Sequence, residues 1–378
     1  MQARRKLLFL VTEDWYFCSH RLPIARAARA AGFEVLVATR VDRHGERIRA
    51  EGFRLVGLPW RRRTRNPWRE SATLAALRDL YRREAPDIVH HIALKPTVYG
   101  ALVAPRGQRT VSTVAGLGYL STSSQLRARL LRPAFRFVLR RLCARPRARL
   151  IVQNPDDRAA LLTAGIVDPA RVAMIRGSGV DLARFAPNEE PHGEVTATMV
   201  GRMLWSKGVG ELVAAARLLR ERGAPVRVVL VGEPDPENPE SVPVEALRAW
   251  SRAGWIEWRG RRDDMTDVLR ATNIAVLPTY REGLPMTLLE AAASARAIVA
   301  TDVPGCREIV RDGENGLLVP SRDASALADA IETLARDRAL RERMGRRGRE
   351  MAAAFGEDVV VAETLALYRS MLEGSDGG

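Results

Sequence analysis

Residues 281–290 read REGLPMTLLE and place two carboxylates, Glu282 and Glu290, eight positions apart around a Gly-Leu-Pro turn. The apolar run IAVLPT before them reads as a buried strand, and MTLLEAAASARA after them as a helix. Gly283 permits special backbone angles, and Pro285 suits the first helical position. Glu282 then lies at the strand end, and Glu290 about 7 Å along the helix axis from Pro285, at ~1.5 Å per residue. So far apart, the two acids do not share one proton or one metal. They bracket an elongated ligand instead, each accepting hydrogen bonds from vicinal hydroxyls, with an anion on the helix N-terminus between them. A nucleotide sugar has that shape: Glu282 would hold the sugar and Glu290 the ribose. The bland alternative is a solvated turn glutamate and a helix-surface glutamate. E-x7-E alone is weak; a strand before it and GLP inside it make it specific.

A second group of residues suits the same ligand. GRMLWSKG (201–208) puts Arg202 at a strand end and Lys207 before a helix, where both reach over the carboxyl edge of a sheet. Arginine grips phosphate oxygens through two N–H groups, and lysine adds a point charge. Arg202 means little by itself in an arginine-rich chain, but only three lysines occur, Lys6, Lys95 and Lys207. The stretch VPGCREIVRDGENGLLVP (303–320) adds a loop in which Gly305 lets backbone approach a ligand. Cys306 reads as buried structure and Glu308 as a cap or ion-pair residue.

These motifs need a frame, and the chain supplies one twice. Short β-branched runs near 6–12, 34–39, 54–59, 87–92, 109–114, 149–154 and 171–176 alternate with helical stretches near 20–31, 68–84 and 125–145. The rhythm breaks at 183–194, ARFAPNEEPHGE, which reads as a linker. It restarts with strands at 195–201, 226–232, 255–260, 274–279 and 297–302, and helices at 209–222, 286–296 and 324–337. Two doubly wound α/β domains follow, with parallel sheets covered on both faces and the cleft between domains as the expected ligand site.

Composition narrows the class. With 378 residues and 46% hydrophobic content there is material for two cores, and no apolar run approaches the roughly 20 residues of a membrane span. The first apolar run is too short for a signal peptide and reads as a strand. Cys18, Cys143 and Cys306 make neither a zinc pattern nor a disulfide framework, which suits a reducing cytoplasm. The formal charge of +15 favours anionic partners.

VGRMLWSKGV, LPTYREGLPMTLLEA, VPGCREIVRDGENGLLVP and IRGSGVDLARF together resemble glycosyltransferase family 4, retaining enzymes of the GT-B fold, over nearly the whole chain. EDWYFCSHRLPIARAA and STVAGLGYL are similar to the bacterial members that build capsule, O-antigen, lipopolysaccharide or exopolysaccharide units on an isoprenoid lipid. The resemblance implies two Rossmann-like domains facing across a cleft: an acceptor domain at 1–185, a nucleotide-sugar domain at 194–357, and a C-terminal segment 358–378 that crosses back and ends in a flexible tail. It implies that Arg202 and Lys207 neutralise the diphosphate, that Glu290 binds the ribose of a uridine or guanosine nucleotide, and that Glu282 contacts the sugar. Gly201, Gly283, Leu284 and Thr287 would supply loop and helix-terminus contacts. No metal or other cofactor is implied; no clear DxD occurs, and Asp263-Asp264 fits a helix N-cap.

One departure stands out. Many relatives carry His-Gly at the end of the strand placed at 109–114, and this chain has Ala115-Gly116. His90 and His91 end the strand DIVHHI, with rings on opposite faces by alternation. One of them, His91 first, is the candidate for sugar or acceptor contact; a packed strand-end histidine is the alternative. In the loop EDWYFCSH (13–20), Asp14, Ser19 and His20 are candidates for the acceptor, a polyprenyl-diphosphate-linked saccharide. The stretch 125–149 carries nine arginines and no acids, with apolar residues at helical spacing. It either lies on an anionic membrane, as does WRRRTRNPWR (60–69), or docks on its own sheet. The expectation is therefore a peripheral enzyme on the inner face of the cytoplasmic membrane. A GT-B nucleotide-sugar epimerase and a non-enzymatic binder of anionic polymers are the other two readings; no nucleic-acid reader motif is present, so nucleic acid is not expected as a partner.

Overall fold

The computed structural model describes residues 4–60, 67–113, 137, 139–141 and 143–373. Ala115, Gly116, most of 125–149, the centre of 60–69 and the tail lie outside them. Met1–Ser178 with Asp358–Gly378 form one compact unit and Gly179–Glu357 the other.

Unit 1 contains strands β1 (Lys6–Glu13), β2 (Glu34–Arg40), β3 (Arg54–Gly57), β4 (Ile88–Ile92), β5 (Arg109–Thr113), β6 (Ala148–Val152) and β7 (Val172–Met174). They form one parallel sheet in the order β3-β2-β1-β4-β5-β6-β7. Its helices include α1 (Asp14–His20), α2 (Leu22–Ala30), α3 (Pro67–Glu84) and α4 (Leu94–Val103). The run KLLFLV is apolar throughout because both faces of β1 are covered. Leu7, Phe9 and Val11 pack on one face with Tyr368 and Met371 of the C-terminal helix Glu357–Glu373. Leu8 and Leu10 pack on the other with Leu77, Leu80 and Tyr81 of α3. Each such fully buried side chain contributes about 1.5–3 kcal/mol.

Unit 2 repeats the design with β8 (Val195–Val200), β9 (Val226–Val231), β10 (Glu257–Trp258), β11 (Ile274–Leu277), β12 (Ala297–Thr301) and β13 (Gly316–Val319). The parallel order is β10-β9-β8-β11-β12-β13. The helices that matter below are α5 (Val209–Glu221), α6 (Met286–Ala293) and α7 (Arg338–Ala352). In both sheets the first strand lies between the second and one from later in the chain, so the strand order reverses beside β1 and beside β8. Loops leaving a parallel sheet at such a point splay apart and leave room for a ligand.

Several local expectations change. Of residues 13–20, read as a loop, Glu13 ends β1 and Asp14–His20 form α1; Asp14 opens the helix, and its Oδ1 accepts the Trp15 amide at 2.7 Å. The stretch 183–194, read as a linker, is packed into unit 2 through buried Phe185 and through Glu190, which accepts from Arg341 and Asn273. Pro285 is the N-cap of α6 rather than its first residue. Among the described residues no helix is long and apolar enough to cross a membrane.

The C-terminal helix is fixed to unit 1 by polar as well as apolar contacts. Tyr368 Oη is 2.6 Å from His90 Nδ1, His90 Nε2 is 2.7 Å from Thr113 Oγ1, and Arg109 Nε donates to Met371 O at 2.8 Å. Burial holds His90 well below the ordinary histidine pKa, so its ring is neutral, with one N–H to give and one lone pair to fill. Tyr368→Phe leaves one of these buried groups without a partner. It is expected to cost about 1–2 kcal/mol, read as a lower urea midpoint at unchanged slope.

Candidate active site

The site is built where β8 and β11 part. After β8 the chain makes a single turn, Trp205–Lys207, and enters α5 through Gly208. Gly208 has φ +75°, and a Cβ there would overlap the carbonyl oxygen of Pro278, just past β11. Only glycine allows that approach. It lets the Tyr280 amide donate to Ser206 O at 2.9 Å and Thr279 Oγ1 donate to the same oxygen at 3.3 Å. The two loops are thereby held together, and Lys207 Nζ forms an ion pair with Glu282 Oε1. Both side chains are largely enclosed, at 22% and 17% exposure.

Glu282 is held from below. A Cβ on Gly305 would lie 2.6 Å from Glu282 O and 2.7 Å from Gly283 O, so this glycine serves packing against the loop. Thr301 Oγ1 donates to Thr279 O beside it. Gly283 and Leu284 are buried, and Thr287 is half-buried on the first turn of α6. The first helical bond there runs from Leu288 N to Pro285 O at 3.1 Å. The amides of Met286 and Thr287 precede it and stand outside the ladder, as helix N-termini require. Glu290 lies one turn further on and, among the described residues, its carboxylate has no hydrogen-bond partner. Burial pushes its pKa up to about 7, with Arg184 acting weakly in the other direction.

Arg202 is on the same edge but more exposed, at 43%, and is held by Asp235 at 2.8 Å. Gly201, before it, packs against Gly232 at the end of β9, where a Cβ would meet the Gly201 carbonyl. Tyr280 was not picked out by sequence reasoning. Its hydroxyl donates to Glu211 Oε1 of α5 at 2.6 Å, and the Arg322 guanidinium covers its ring at 4.2 Å. Burial and the bond to Glu211 raise the Tyr280 pKa to about 12. Nothing local marks Glu211 or Asp235 in the sequence; they matter only through strand order.

In unit 1 the expected residues are placed less openly. Asp14 is fully buried, and its Oδ2 accepts the amides of Asp42 at 2.7 Å and His44 at 2.8 Å. It organises the loop after β2 and presents no free oxygen, which corrects its reading as an acceptor contact. His91 is also fully buried, 2.9 Å from Tyr81 Oη and 3.2 Å from Ser112 Oγ. Burial lowers its pKa to about 3. Its ring is a packed strand-end histidine, the alternative to a sugar contact. Ser19 is exposed, and its Oγ lies 2.6 Å from His20 Nδ1. The His20 ring stacks on Tyr16 with centroids 4.2 Å apart, and burial followed by nearby Arg21 lowers its pKa to about 4. Among the described residues no three His, Cys, Asp or Glu side chains converge as a metal site.

Two parallel sheets, each with a reversal point, and a cation–carboxylate pair at one of them define a two-domain α/β enzyme of the GT-B fold. Sucrose-phosphate synthase from Thermosynechococcus elongatus superposes with a TM-score of 0.83 at 22% identity, over 98% of this chain and 100% of that one. Anabaena Alr3699/HepE, solved with UDP-glucose, superposes with a TM-score of 0.74 at 18% identity, over 96% and 99%. In sequence, residues 6–154 match the family model "Glycosyl transferase 4-like" and residues 182–351 match "Glycosyl transferases group 1". The chain belongs to these glycosyltransferases. It is 26% identical over 371 residues, 93% of this chain and 95% of the other, to the Campylobacter jejuni N,N'-diacetylbacillosaminyl-diphospho-undecaprenol alpha-1,3-N-acetylgalactosaminyltransferase.

The raised pKa of Glu290 has a consequence for stability. A free glutamate titrates near 4.5 and this one near 7, so the folded state binds more protons between those values. The contribution of its neutral form is complete below pH 4.5 and is lost as pH rises through 7. Glu290→Gln is therefore expected to melt close to wild type at pH 4.5 and a few degrees above it at pH 8, measured by thermal denaturation across pH. Equal melting temperatures at pH 8 would remove the burial argument.

Proposed function

We propose that this enzyme transfers a sugar from a nucleotide-diphosphate donor, a UDP-sugar in first place, to a polyprenyl-diphosphate-linked saccharide during synthesis of a cell-surface polysaccharide, with retention at the anomeric carbon. The observation that carries this reading is the Lys207–Glu282 ion pair before the N-terminus of α6. A diphosphate at this edge would meet Lys207, Arg202 and the first amides of α6, which stabilise the charge that builds as the sugar leaves. Glu282 would take the sugar hydroxyls released from its pair with Lys207, and Glu290 the ribose. The leaving phosphate accepts the proton of the attacking hydroxyl, and no metal enters this reading. The activity for which the Campylobacter relative is named, on a diphospho-undecaprenol saccharide, and the UDP-glucose in Alr3699/HepE support the choice of substrates.

A lipid-linked acceptor puts the enzyme at the inner face of the cytoplasmic membrane. The charge of +15, with arginine concentrated in 60–69 and 125–149, suits an anionic headgroup surface.

The test is nucleotide release from a panel of UDP- and GDP-sugars in the presence and absence of a membrane extract. Release that requires the extract, and falls about 100-fold or more in Lys207→Ala, is expected. Interconversion of the donor without release would point to an epimerase. No release from any donor would overturn the reading.

A further inference from the structure

The amino-terminal edge of the second sheet holds a cavity of about 230 Å³ that the donor reading leaves unused. Pro187–Glu190, Asn273, residues 295–297 and three residues of α7, Arg341, Glu342 and Arg346, line it. It opens at the start of β12, and the Lys207–Glu282 pair lies past the other ends of the strands. Five residues of β12 at ~3.3 Å each separate the two edges by roughly 16 Å.

The wall carries three arginines and three glutamates, and two of the guanidinium groups make no hydrogen bond to a carboxylate among the described residues. Arg296 is 2% exposed, and its guanidinium donates to two carbonyls, Leu269 O at 3.0 Å and Glu189 O at 3.3 Å. Among the described residues no carboxylate is within ion-pair distance of it. Arg346 is exposed and has neither hydrogen bond nor ion pair with the described residues. Glu190, 9% exposed, accepts from Arg341 Nε and Asn273 Nδ2 at 2.6 Å each, both through Oε1. Among the described residues its Oε2 is buried without a donor. Glu190 and Glu342 act on Arg296 and Arg346 at a distance, but among the described residues neither guanidinium is hydrogen-bonded to a carboxylate, and the buried Glu190 Oε2 has no donor, which is costly for a buried group.

We propose that this cavity is a second ligand site, for a compact phosphate monoester that also carries hydroxyl groups, the chemistry of a sugar phosphate. The phosphoryl oxygens meet Arg296 and Arg346, for which the planar fork of arginine is suited. A hydroxyl of the same ligand reaches Glu190 Oε2 after a small local opening. The acids on the wall, Glu189, Glu190 and Glu342, repel a more highly charged group such as a nucleoside diphosphate, so the site is separate in chemistry as well as in place. A ligand there ties the segment that leads into β8 to α7.

The probes are glucose 6-phosphate, inorganic phosphate and glucose, titrated calorimetrically into the full chain, wild type, Arg346→Gln and Lys207→Ala. Arg346 is exposed and makes no hydrogen bond or close ion pair among the described residues, so Arg346→Gln is expected to melt within about a degree of wild type without ligand. Saturable binding of glucose 6-phosphate is expected, weaker by about fivefold or more in Arg346→Gln and unchanged in Lys207→Ala. Inorganic phosphate is expected to bind more weakly than the sugar phosphate, and glucose not at all. No saturable binding to wild type, or equal binding to Arg346→Gln, overturns the proposal. Loss in Lys207→Ala assigns the phosphate to the donor edge and overturns it too. Equal affinity for inorganic phosphate removes the hydroxyl contact and leaves no case for a sugar phosphate.

Discussion

Gly208 passes so close to the carbonyl of Pro278 that no side chain fits between them. This one approach decides what the second unit can do. It joins the turn after β8 to the loop after β11, and so brings together two residues 75 positions apart in sequence, Lys207 and Glu282. The same economy recurs below, where Gly305 lets a short helix support the peptide of Glu282 and Gly283, and beside it, where Gly232 meets Gly201. Backbone held against backbone is stiff, because there are no rotamers to lose. The charged side chains on top are thereby aimed without long loops to order.

The two cations of the site are each held by a carboxylate, Lys207 by Glu282 and Arg202 by Asp235. The difference in exposure gives these pairs different weights. Arg202 with Asp235 is near the surface, where an ion pair contributes little and exchanges readily. Lys207 with Glu282 is more enclosed, and removing either partner leaves the other poorly solvated. Tyr280 stands behind both loops, bonded to Glu211 and covered by Arg322, so its backbone has little freedom to carry Glu282 away.

Much of this frame was readable before any coordinates. Apolar runs without alternation announced parallel strands covered on both sides, and GRMLWSKG and REGLPMTLLE announced the ends of two of them. Their direct pairing was hidden, because it depends on β8 lying beside β11, and strand order is a property of the sheet and not of any local stretch. The histidines show the same division. Alternation put His90 and His91 on opposite faces, as found. Their enclosure comes from Tyr368 on one side and Tyr81 on the other, contacts with no local signature. Asp14 is at a strand end where ligands are often bound, yet the loop after β2 folds back and takes its oxygen. Polar composition at 183–194 suggested a linker, because a buried Glu190 is legible only once Arg341 is known to face it.

The chain leaves the first unit after Ser178 and returns to it at Asp358. The outgoing and returning segments are bonded to each other: Val180 N donates to Phe355 O at 2.9 Å, and Glu357 N to Val180 O at 3.1 Å. The second unit is thus an uninterrupted stretch, complete in itself, whereas the first lacks Tyr368 and Met371 until the last part of the chain exists. His90 and part of the apolar face of β1 gain the cover of Tyr368 and Met371 only after the whole of the second unit has been made.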